Sequence, residues 1–250
     1  VIMQAPGNVV VTETERPEII EPTDAIIELA AACICGSDLW PYRGHDDADN
    51  RHMGHEYVGT VVETGSAVTS VKPGDFVVGS FCISDNTCEI CESGYQSRCV
   101  NGGFVGGTQA EFARVPQADG TLVVVPGGRP DDAGVLASLL AASDVLGTGW
   151  FGAVAAEAGP GKTVAVVGDG AVGLLAILAA RELGAEKIIA MSRNPQRQAL
   201  AREFGATDIV EARGEEGISQ VKDLTNGLGA HSVVEAVGTQ QSMEQAIGAC

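Results

Sequence analysis

The stretch VAVVGDGAVGLL, residues 164–175, decides the fold of the second half of this chain. The stretch begins within an apolar run over 163–167, and such a run is typical of a strand buried on both faces. Three glycines follow with the spacing G-x-G-x-x-G, and an apolar helix is predicted over 171–183. A glycine turn that leaves a strand and opens a helix indicates a dinucleotide-binding unit, whereas the same spacing elsewhere is a weak signal.

Each residue of the turn has a predicted role toward such a cofactor. Gly168 makes the tight turn, Gly170 lets a pyrophosphate approach the backbone, and Gly173 lets the helix pack closely on the strand. Ala171 and Val172 begin the helix, whose N-terminus favours the phosphate charge. The alternative is a turn that binds no ligand, which the strand–turn–helix context disfavours.

The sequence after this turn continues to alternate strands and helices. Strands are predicted over 187–191, 208–210 and 232–237, and helices over 196–204 and 217–224. This alternation predicts a doubly wound parallel sheet of the Rossmann type over 148–250, with Val237 as a further cofactor contact. A complete sheet of this type has six strands, so we expect the cofactor domain to be incomplete in this chain.

Residues 1–147 have a different pattern, in which glycine and proline turns separate short strands. The strands are predicted over 9–12, 25–32, 57–63, 75–81 and 121–125. Such spacing predicts a small β-barrel or sandwich. The chain is therefore expected to be an α/β protein in which a β-rich domain precedes a cofactor domain.

The composition limits the classes of partner. Apolar residues make up 45% of the chain and the net charge is −18, so we expect no nucleic-acid partner, which would need a basic surface. Gly, Asp or Arg interrupts every apolar stretch before it reaches membrane-spanning length, so no membrane partner is expected. The 7 cysteines, most of them in two short groups, fit metal thiolates in a reducing compartment, the cytoplasm.

Three short motifs contain metal-ligating residue types. CGSD (35–38) places Cys35 at a strand end, MGHEYVG (53–59) places His55 and Glu56 before a strand, and AASDVLGTGW (141–150) contains Asp144. Taken singly, Cys35 is typical of a small buried residue, His55 of a core histidine and Asp144 of a helix N-cap.

The loop DNTCEICESGYQSRC (85–99) contains Cys88, Cys91 and Cys99. A closed tetrahedral metal site needs a fourth ligand, and both Asp85 and Cys82 are chemically suitable. The alternative is that the loop carries three free thiols and no metal.

Together these motifs resemble the zinc-dependent medium-chain alcohol dehydrogenases, which pair a GroES-like domain with a Rossmann domain. The resemblance rests on CGSD (35–38), GHEYVGTVVETGSAVTSVKPGDFV (54–77), the three-cysteine loop and the glycine turn, which occur in the family's order. It covers essentially the whole chain.

The resemblance implies a catalytic zinc ion held by Cys35, His55 and Asp144, with a fourth position left for water or substrate. It implies that Glu56 can approach this zinc and exchange with water. Asp38 would orient the ligand histidine, and Ser37 would bind the substrate oxygen and pass on its proton. Many relatives have a histidine at the position of Trp40, and an indole cannot accept a proton, so the proton would leave by another path.

The resemblance also implies a structural zinc ion in a lobe over about 82–100. The family's spacing, C-x2-C-x2-C-x7-C, places Asp85 at the position of the first ligand, ahead of Cys88, Cys91 and Cys99. We favour Asp85 over Cys82 because the shorter spacing keeps the loop compact. The zinc would hold together a lobe that has few apolar residues.

The end of the second predicted strand, AMSRNPQRQ (190–198), predicts the form of the cofactor. NAD-binding folds place an acid here, but this position holds Ser192, followed by Arg193. Serine and arginine suit a ribose 2′-phosphate, and the pair resembles the NADP-using branch of the family. We therefore expect NADP(H) to be favoured over NAD(H); the alternative is that the arginines are ordinary surface charges and the site is unselective.

These inferences predict an oxidoreductase that transfers a hydride between an alcohol or carbonyl substrate and a nicotinamide cofactor. The full-length protein is expected to be a homo-oligomer that acts on a small-molecule alcohol, aldehyde or ketone. Two alternatives are a catalytically silent fragment of such an enzyme and a zinc-free quinone reductase of the same fold, which would lack the cysteine, histidine and acid set.

Overall fold

The computed structural model describes every residue from Val1 to Cys250, and the chain divides into two compact units, Val1–Asp144 and Val145–Cys250. The division lies close to residue 147, where the sequence pattern places the domain boundary. The first unit contains all the candidate metal ligands, and the second contains the glycine turn.

The first unit consists mainly of short antiparallel strands. Its strands are β1 (Ile2–Ala5), β2 (Asn8–Val10), β3 (Ala25–Ala32), β4 (Arg51–His52), β5 (Tyr57–Thr64), β6 (Phe76–Gly79), β7 (Cys82–Ile83), β8 (Gly103–Phe104), β9 (Phe112–Val115) and β10 (Leu122–Val124). Its helices are α1 (Leu39–Tyr42), α2 (Glu89–Glu92), α3 (Ala118–Thr121) and α4 (Ala133–Ala141), with 3-10 turns at Gly36–Asp38 and Gln96–Arg98.

These strands form three sheets. A five-stranded sheet has the order β10-β6-β5-β3-β9, a three-stranded sheet has the order β2-β1-β4, and β7 pairs with β8. In the largest sheet β3 and β5 run antiparallel with Ala32 opposite Tyr57, so the end of β3 lies beside the start of β5. Tyr57 is fully buried in the core, and its hydroxyl donates a hydrogen bond to the Ser80 carbonyl at 3.2 Å.

The second unit is a parallel sheet with helices on both faces. Its strands are β11 (Thr163–Val167), β12 (Lys187–Met191), β13 (Asp208–Val210) and β14 (Ser232–Glu235), and its helices are α5 (Val145–Ala155), α6 (Ala171–Glu182), α7 (Pro195–Phe204), α8 (Gly214–Leu224) and α9 (Gln240–Ala249). The strand order is β13-β12-β11-β14, and all three pairings are parallel.

Alternate residues of β11 pack in two separate hydrophobic cores, one on each face of the sheet. Val164 and Val166 pack in the core that contains residues of α5, α6 and α7, whereas Ala165 and Val167 pack in the core that contains residues of α8 and α9. Both faces of the strand are therefore buried, as the continuous apolar run predicts. The expected doubly wound sheet is confirmed.

The structure also contains helices that the sequence pattern did not predict. Helices α4 and α5 have no periodic alternation of polar and apolar residues, because small and apolar residues occupy nearly every position. Helix α9 begins after Thr239, which accepts a hydrogen bond from the Ser242 backbone in a capping box.

No single helix has both the length and the hydropathy needed to cross a membrane. The successive apolar helices α4 and α5 reach that length only when the two are counted together.

Candidate zinc and cofactor sites

The pairing of β3 with β5 positions the first candidate metal site. Cys35 follows the end of β3 and His55 precedes the start of β5, and the two chain segments lie side by side because Ala32 is opposite Tyr57. Asp144 comes from a distant segment after α4, where the Phe81 backbone donates a hydrogen bond to the Ser143 carbonyl at 3.3 Å. The fold thus brings together residues that are far apart in sequence.

Four donor side chains meet at this point. Single ligand atoms of Cys35, His55, Glu56 and Asp144 all lie within 4.8 Å of one another. Asp144 Oδ2 is 3.6 Å from Cys35 Sγ and 3.4 Å from His55 Nε2. The Oε1 atom of Glu56 is buried and has no hydrogen-bond partner. A thiol, an imidazole and two carboxylates around one point, one of them with a buried unsatisfied oxygen, fit the ligand chemistry of zinc.

Two neighbours of Cys35 contact the same group. Asp38 is buried; its Oδ2 accepts a hydrogen bond from the Cys35 backbone at 3.0 Å, and its Oδ1 lies 3.7 Å from His55 Nδ1. The imidazole therefore presents Nε2 to the donor cluster while Nδ1 faces a carboxylate, which is the arrangement that orients a metal-binding histidine. The Ser37 hydroxyl lies 3.5 Å from His55 Nε2, next to the cluster.

The acidic surroundings control the charge of this site. Hydrogen bonding to Asp144, together with Cys35, raises the pKa of His55 to about 10, although burial opposes the shift. Burial also raises the pKa of Glu56. A ligand histidine must be neutral, so metal binding here would displace a proton from His55.

The structure adds two residues to this site that the sequence analysis did not identify. The Cys33 thiol donates a hydrogen bond to Glu56, and burial raises the pKa of this thiol to about 12. The Phe81 ring lies 6.2 Å from the His55 ring and stacks on Phe104 at 6.1 Å. Cys33 falls two residues before Cys35 in the sequence, but no sequence signal pointed to Phe81.

The second candidate metal site is the cysteine loop. Ligand atoms of Asp85, Cys88, Cys91 and Cys99 lie within 4.8 Å of one another. Cys88 Sγ is 3.4 Å from Cys91 Sγ and 3.9 Å from Cys99 Sγ. Three thiols and a carboxylate at these separations fit a closed tetrahedral zinc site.

The Asp85 carboxylate is held in place by its own loop. It accepts hydrogen bonds from the backbone of Thr87 at 2.9 Å and of Cys88 at 3.0 Å, and from the Asn101 amide at 2.8 Å. These bonds lower the pKa of Asp85 well below its usual value. Cys82 is buried in β7 opposite Phe104 and lies outside the donor group. The structure thus groups Asp85, and not Cys82, with the three cysteines.

The glycine turn in the second unit leaves open space at the start of α6. Gly168 has φ +116°, and a Cβ there would approach Val237 Cγ2 at 2.9 Å. A Cβ on Gly173 would collide with the Gly168 carbonyl. A Cβ on Gly170 would meet no atom within 4 Å, so only open space lies there, at the N-cap of α6. Gly168 and Gly173 are required by the fold itself, whereas Gly170 leaves room for a ligand beside Ala171 and Val172, the first residues of α6.

The end of β12 contains an unexpected hydrogen-bond cluster. The Ser192 hydroxyl donates to Asp169 Oδ2 at 2.8 Å, and Arg197 Nη1 donates to Asp169 Oδ1 at 2.9 Å. Ser192 is buried, whereas Arg193 is exposed and forms no ion pair. No carboxylate lies between Glu186 and Glu203 in the sequence, so the acid beside the end of β12 comes from the glycine turn and has no local sequence signal.

Comparisons with known proteins agree with both units. Residues 21–127 match the family described as alcohol dehydrogenase GroES-like domain, and residues 171–250 match the family described as zinc-binding dehydrogenase. A medium chain reductase/dehydrogenase from Acremonium sp is 38% identical over 98% of this chain and 87% of its own length. The zinc-type alcohol dehydrogenase B of Aspergillus flavus is 37% identical, and this chain spans only 59% of it.

A solved structure has the same fold. The alcohol dehydrogenase TADH from Thermus sp. ATN1 is 35% identical and superimposes with a TM-score of 0.87, over 99% of this chain and 73% of that protein. The NADP-dependent isopropanol dehydrogenase of Clostridium beijerinckii is 35% identical over 94% of this chain and 68% of its own length. The chain belongs to the zinc-dependent medium-chain alcohol dehydrogenase family.

Proposed function

We propose that this chain carries the catalytic and cofactor-binding residues of an oxidoreductase that moves a hydride between an alcohol or carbonyl group and a nicotinamide cofactor. The observation that carries the proposal is the convergence of Cys35, His55 and Asp144, with Asp144 Oδ2 within 3.6 Å of both other ligand atoms. A zinc ion held there supplies Lewis acidity to a substrate oxygen, and a bound nicotinamide supplies or accepts the hydride.

The chain's own residues prepare the substrate for this chemistry. Ser37 lies beside His55 Nε2, close enough to the cluster to bind a substrate hydroxyl and to relay its proton, accepting it while releasing its own hydroxyl proton to water. Asp38 holds the imidazole in the orientation that presents Nε2. Glu56 is available as an additional ligand, because one of its buried oxygens has no partner. Phe81 and Phe104 give the site an apolar wall suited to the carbon chain of a small alcohol, aldehyde or ketone.

We assign a structural role to the second zinc site. Asp85, Cys88, Cys91 and Cys99 offer four donors, which leaves no open position for substrate. A zinc ion there would fix the lobe over 82–100, whose only regular elements are the two-residue strand β7, the single-turn helix α2 and one 3-10 turn.

We propose that NADP(H) is favoured over NAD(H). Ser192 stands where the ribose 2′ position is bound in this fold, and the exposed Arg193 can pair with a phosphate. The pyrophosphate would rest on Gly168, Gly170 and the start of α6, with Val237 packed against the turn. The thiol-rich sites suit a cytoplasmic enzyme, and we expect the full-length protein to be a homo-oligomer.

The decisive experiment measures metal content and kinetics in the same preparations. Wild type should contain zinc at both sites and oxidise small alcohols with a higher kcat/KM for NADP than for NAD. Arg193→Ala should reduce that ratio, while Arg202→Ala, which changes an arginine near the other end of α7, should leave it unchanged. Activity that survives complete zinc removal, or a wild type that prefers NAD, would contradict the corresponding part of the proposal.

A further inference from the structure

Asp169 has no role in the assignments above. It is the residue between the first two glycines of the turn, where the fold needs no particular side chain. Its carboxylate nevertheless leaves the turn and reaches the end of β12, where both of its oxygens accept hydrogen bonds, one from Ser192 and one from Arg197. A carboxylate therefore stands next to the position where this fold binds the 2′ position of the cofactor ribose.

Both partners of Asp169 are groups that could also bind a 2′-phosphate. Ser192 is buried, so its hydroxyl can turn to a new acceptor only after it releases Asp169. Arg197 lies in the first turn of α7, where the N-cap residue Asn194 accepts a hydrogen bond from the Arg197 backbone at 3.2 Å. Its guanidinium is already neutralised by an ion pair of 2.9 Å, and the Asp169 side chain is only 23% exposed. A phosphate must therefore compete with a resident carboxylate for both donors.

The charge of Asp169 disfavours a phosphate at this position. Burial alone would raise the pKa of Asp169, but the hydrogen bonds from Ser192 and Arg197 lower it below its usual value, so the carboxylate is charged at neutral pH. Two negative groups a few ångströms apart repel each other strongly at a partly buried site. A ribose 2′-hydroxyl carries no charge and can donate a hydrogen bond to a carboxylate, so it meets no such repulsion.

We propose that Asp169 is a specificity-determining residue that weakens the binding of a 2′-phosphorylated cofactor relative to the unphosphorylated form. It does so by occupying Ser192 and Arg197 and by placing a negative charge beside the 2′ position. This inference rests on the proposed cofactor site at the glycine turn, and it limits the NADP preference that Ser192 and Arg193 create.

The test is a binding measurement that requires no turnover. Calorimetric titration gives the Kd of 2′,5′-ADP and of 5′-AMP for wild type, Asp169→Asn and Asp169→Ala. At least one variant should tighten 2′,5′-ADP relative to 5′-AMP by about tenfold or more, since either change removes the charge and the alanine also releases Ser192 and Arg197. Glu211→Gln is the matched control. Glu211 follows the neighbouring strand β13, and its carboxylate accepts a hydrogen bond from Gln198 but contacts neither Ser192 nor Arg197.

The ratio of the two Kd values separates this inference from the proposed cofactor preference. A wild type that binds 5′-AMP more tightly than 2′,5′-ADP contradicts the NADP preference, yet a tenfold shift in the variants still supports the role of Asp169. The role of Asp169 is overturned if both of its variants keep the Kd ratio within about twofold of the wild-type ratio. It is also overturned if Glu211→Gln changes the ratio as much as the Asp169 variants do. Thermal unfolding of each protein checks that it is folded. If every folded protein fails to bind either nucleotide, both the role of Asp169 and the proposed cofactor site are overturned.

Discussion

The thiol of Cys35 lies 3.6 Å from the carboxylate of Asp144, although 109 residues separate them in the sequence. Two independent parts of the fold, the end of β3 and the segment after α4, must form correctly to produce this proximity. The same relationship makes the site easy to disrupt by single substitutions.

Removing one cysteine should remove one zinc ion. Cys35→Ala should lose the catalytic zinc and retain the structural one, because the two donor groups share no residue. Cys88→Ala should do the reverse and also lower thermal stability, since the 82–100 lobe depends on its metal. Elemental analysis after dialysis measures both, and a variant that loses both ions or neither would contradict the assignment.

The fourth ligand of the cysteine loop should be Asp85. Asp85→Ala should release the structural zinc, whereas Cys82→Ala should keep it, because Cys82 lies outside the donor group. Both substitutions should be compared by zinc release to a colorimetric chelator. If only the cysteine variant releases metal, the fourth ligand is Cys82.

Ser37 should be needed for turnover and not for metal retention. Its hydroxyl is next to His55 but it is not one of the four donors, so Ser37→Ala should bind zinc normally. The loss of a proton-transfer group should lower kcat by about a hundredfold or more. Ser37→Thr keeps a hydroxyl and serves as the matched control. Normal turnover by Ser37→Ala would mean that another group takes the proton.

Two glycines of the same turn should respond in opposite ways to alanine. Gly173→Ala places a Cβ against the Gly168 carbonyl, so it should lower the free energy of unfolding by about 2 kcal/mol or more. Gly170→Ala places its Cβ in open space, so it should fold normally and bind nucleotide more weakly. Chemical denaturation and calorimetric titration measure the two effects. A stable, non-binding Gly173→Ala would reverse the assigned roles.

Asp119 should give a pH-dependent contribution to stability. Burial opposes its ionisation, but hydrogen bonds from Ser70 and Thr69 lower its pKa from 3.8 to about 2. The carboxylate therefore stabilises the fold above pH 3.8, and this contribution is lost as the pH falls toward 2. Asp119→Asn should cost about 1 kcal/mol at neutral pH, a modest value because the side chain is exposed. The difference from wild type should shrink below pH 3.8 and stay constant above pH 5 or so.

The local patterns of the sequence predicted much of the second unit. The strands over 163–167, 187–191 and 208–210 were predicted with the bounds that the structure has, because each is an apolar segment followed by a clear turn or helix signal. Helix α8 begins at Gly214, ahead of the predicted start at residue 217, because an arginine and a glycine precede its amphipathic region and hide the helical pattern. Helices α4 and α5 could not be recognised by period, because they are apolar nearly all round.

What the sequence could not supply is proximity between distant segments. The motif CGSD and the histidine of MGHEYVG suggest metal ligands, but only the pairing of β3 with β5 places them side by side. The contact of Asp169 with Ser192 has no sequence signal, because it depends on how far a turn residue reaches toward the next strand. The same is true of Phe81, whose ring meets His55 through tertiary packing alone.

The central claim is that Cys35, His55 and Asp144 hold a zinc ion, and anomalous diffraction at the zinc edge from crystals of the purified protein tests it most directly. We predict a strong peak within bonding distance of Cys35 Sγ, His55 Nε2 and an Asp144 carboxylate oxygen, and a second peak among Asp85, Cys88, Cys91 and Cys99. A peak at the cysteine loop with none at Cys35, in crystals grown with zinc present, would contradict the account.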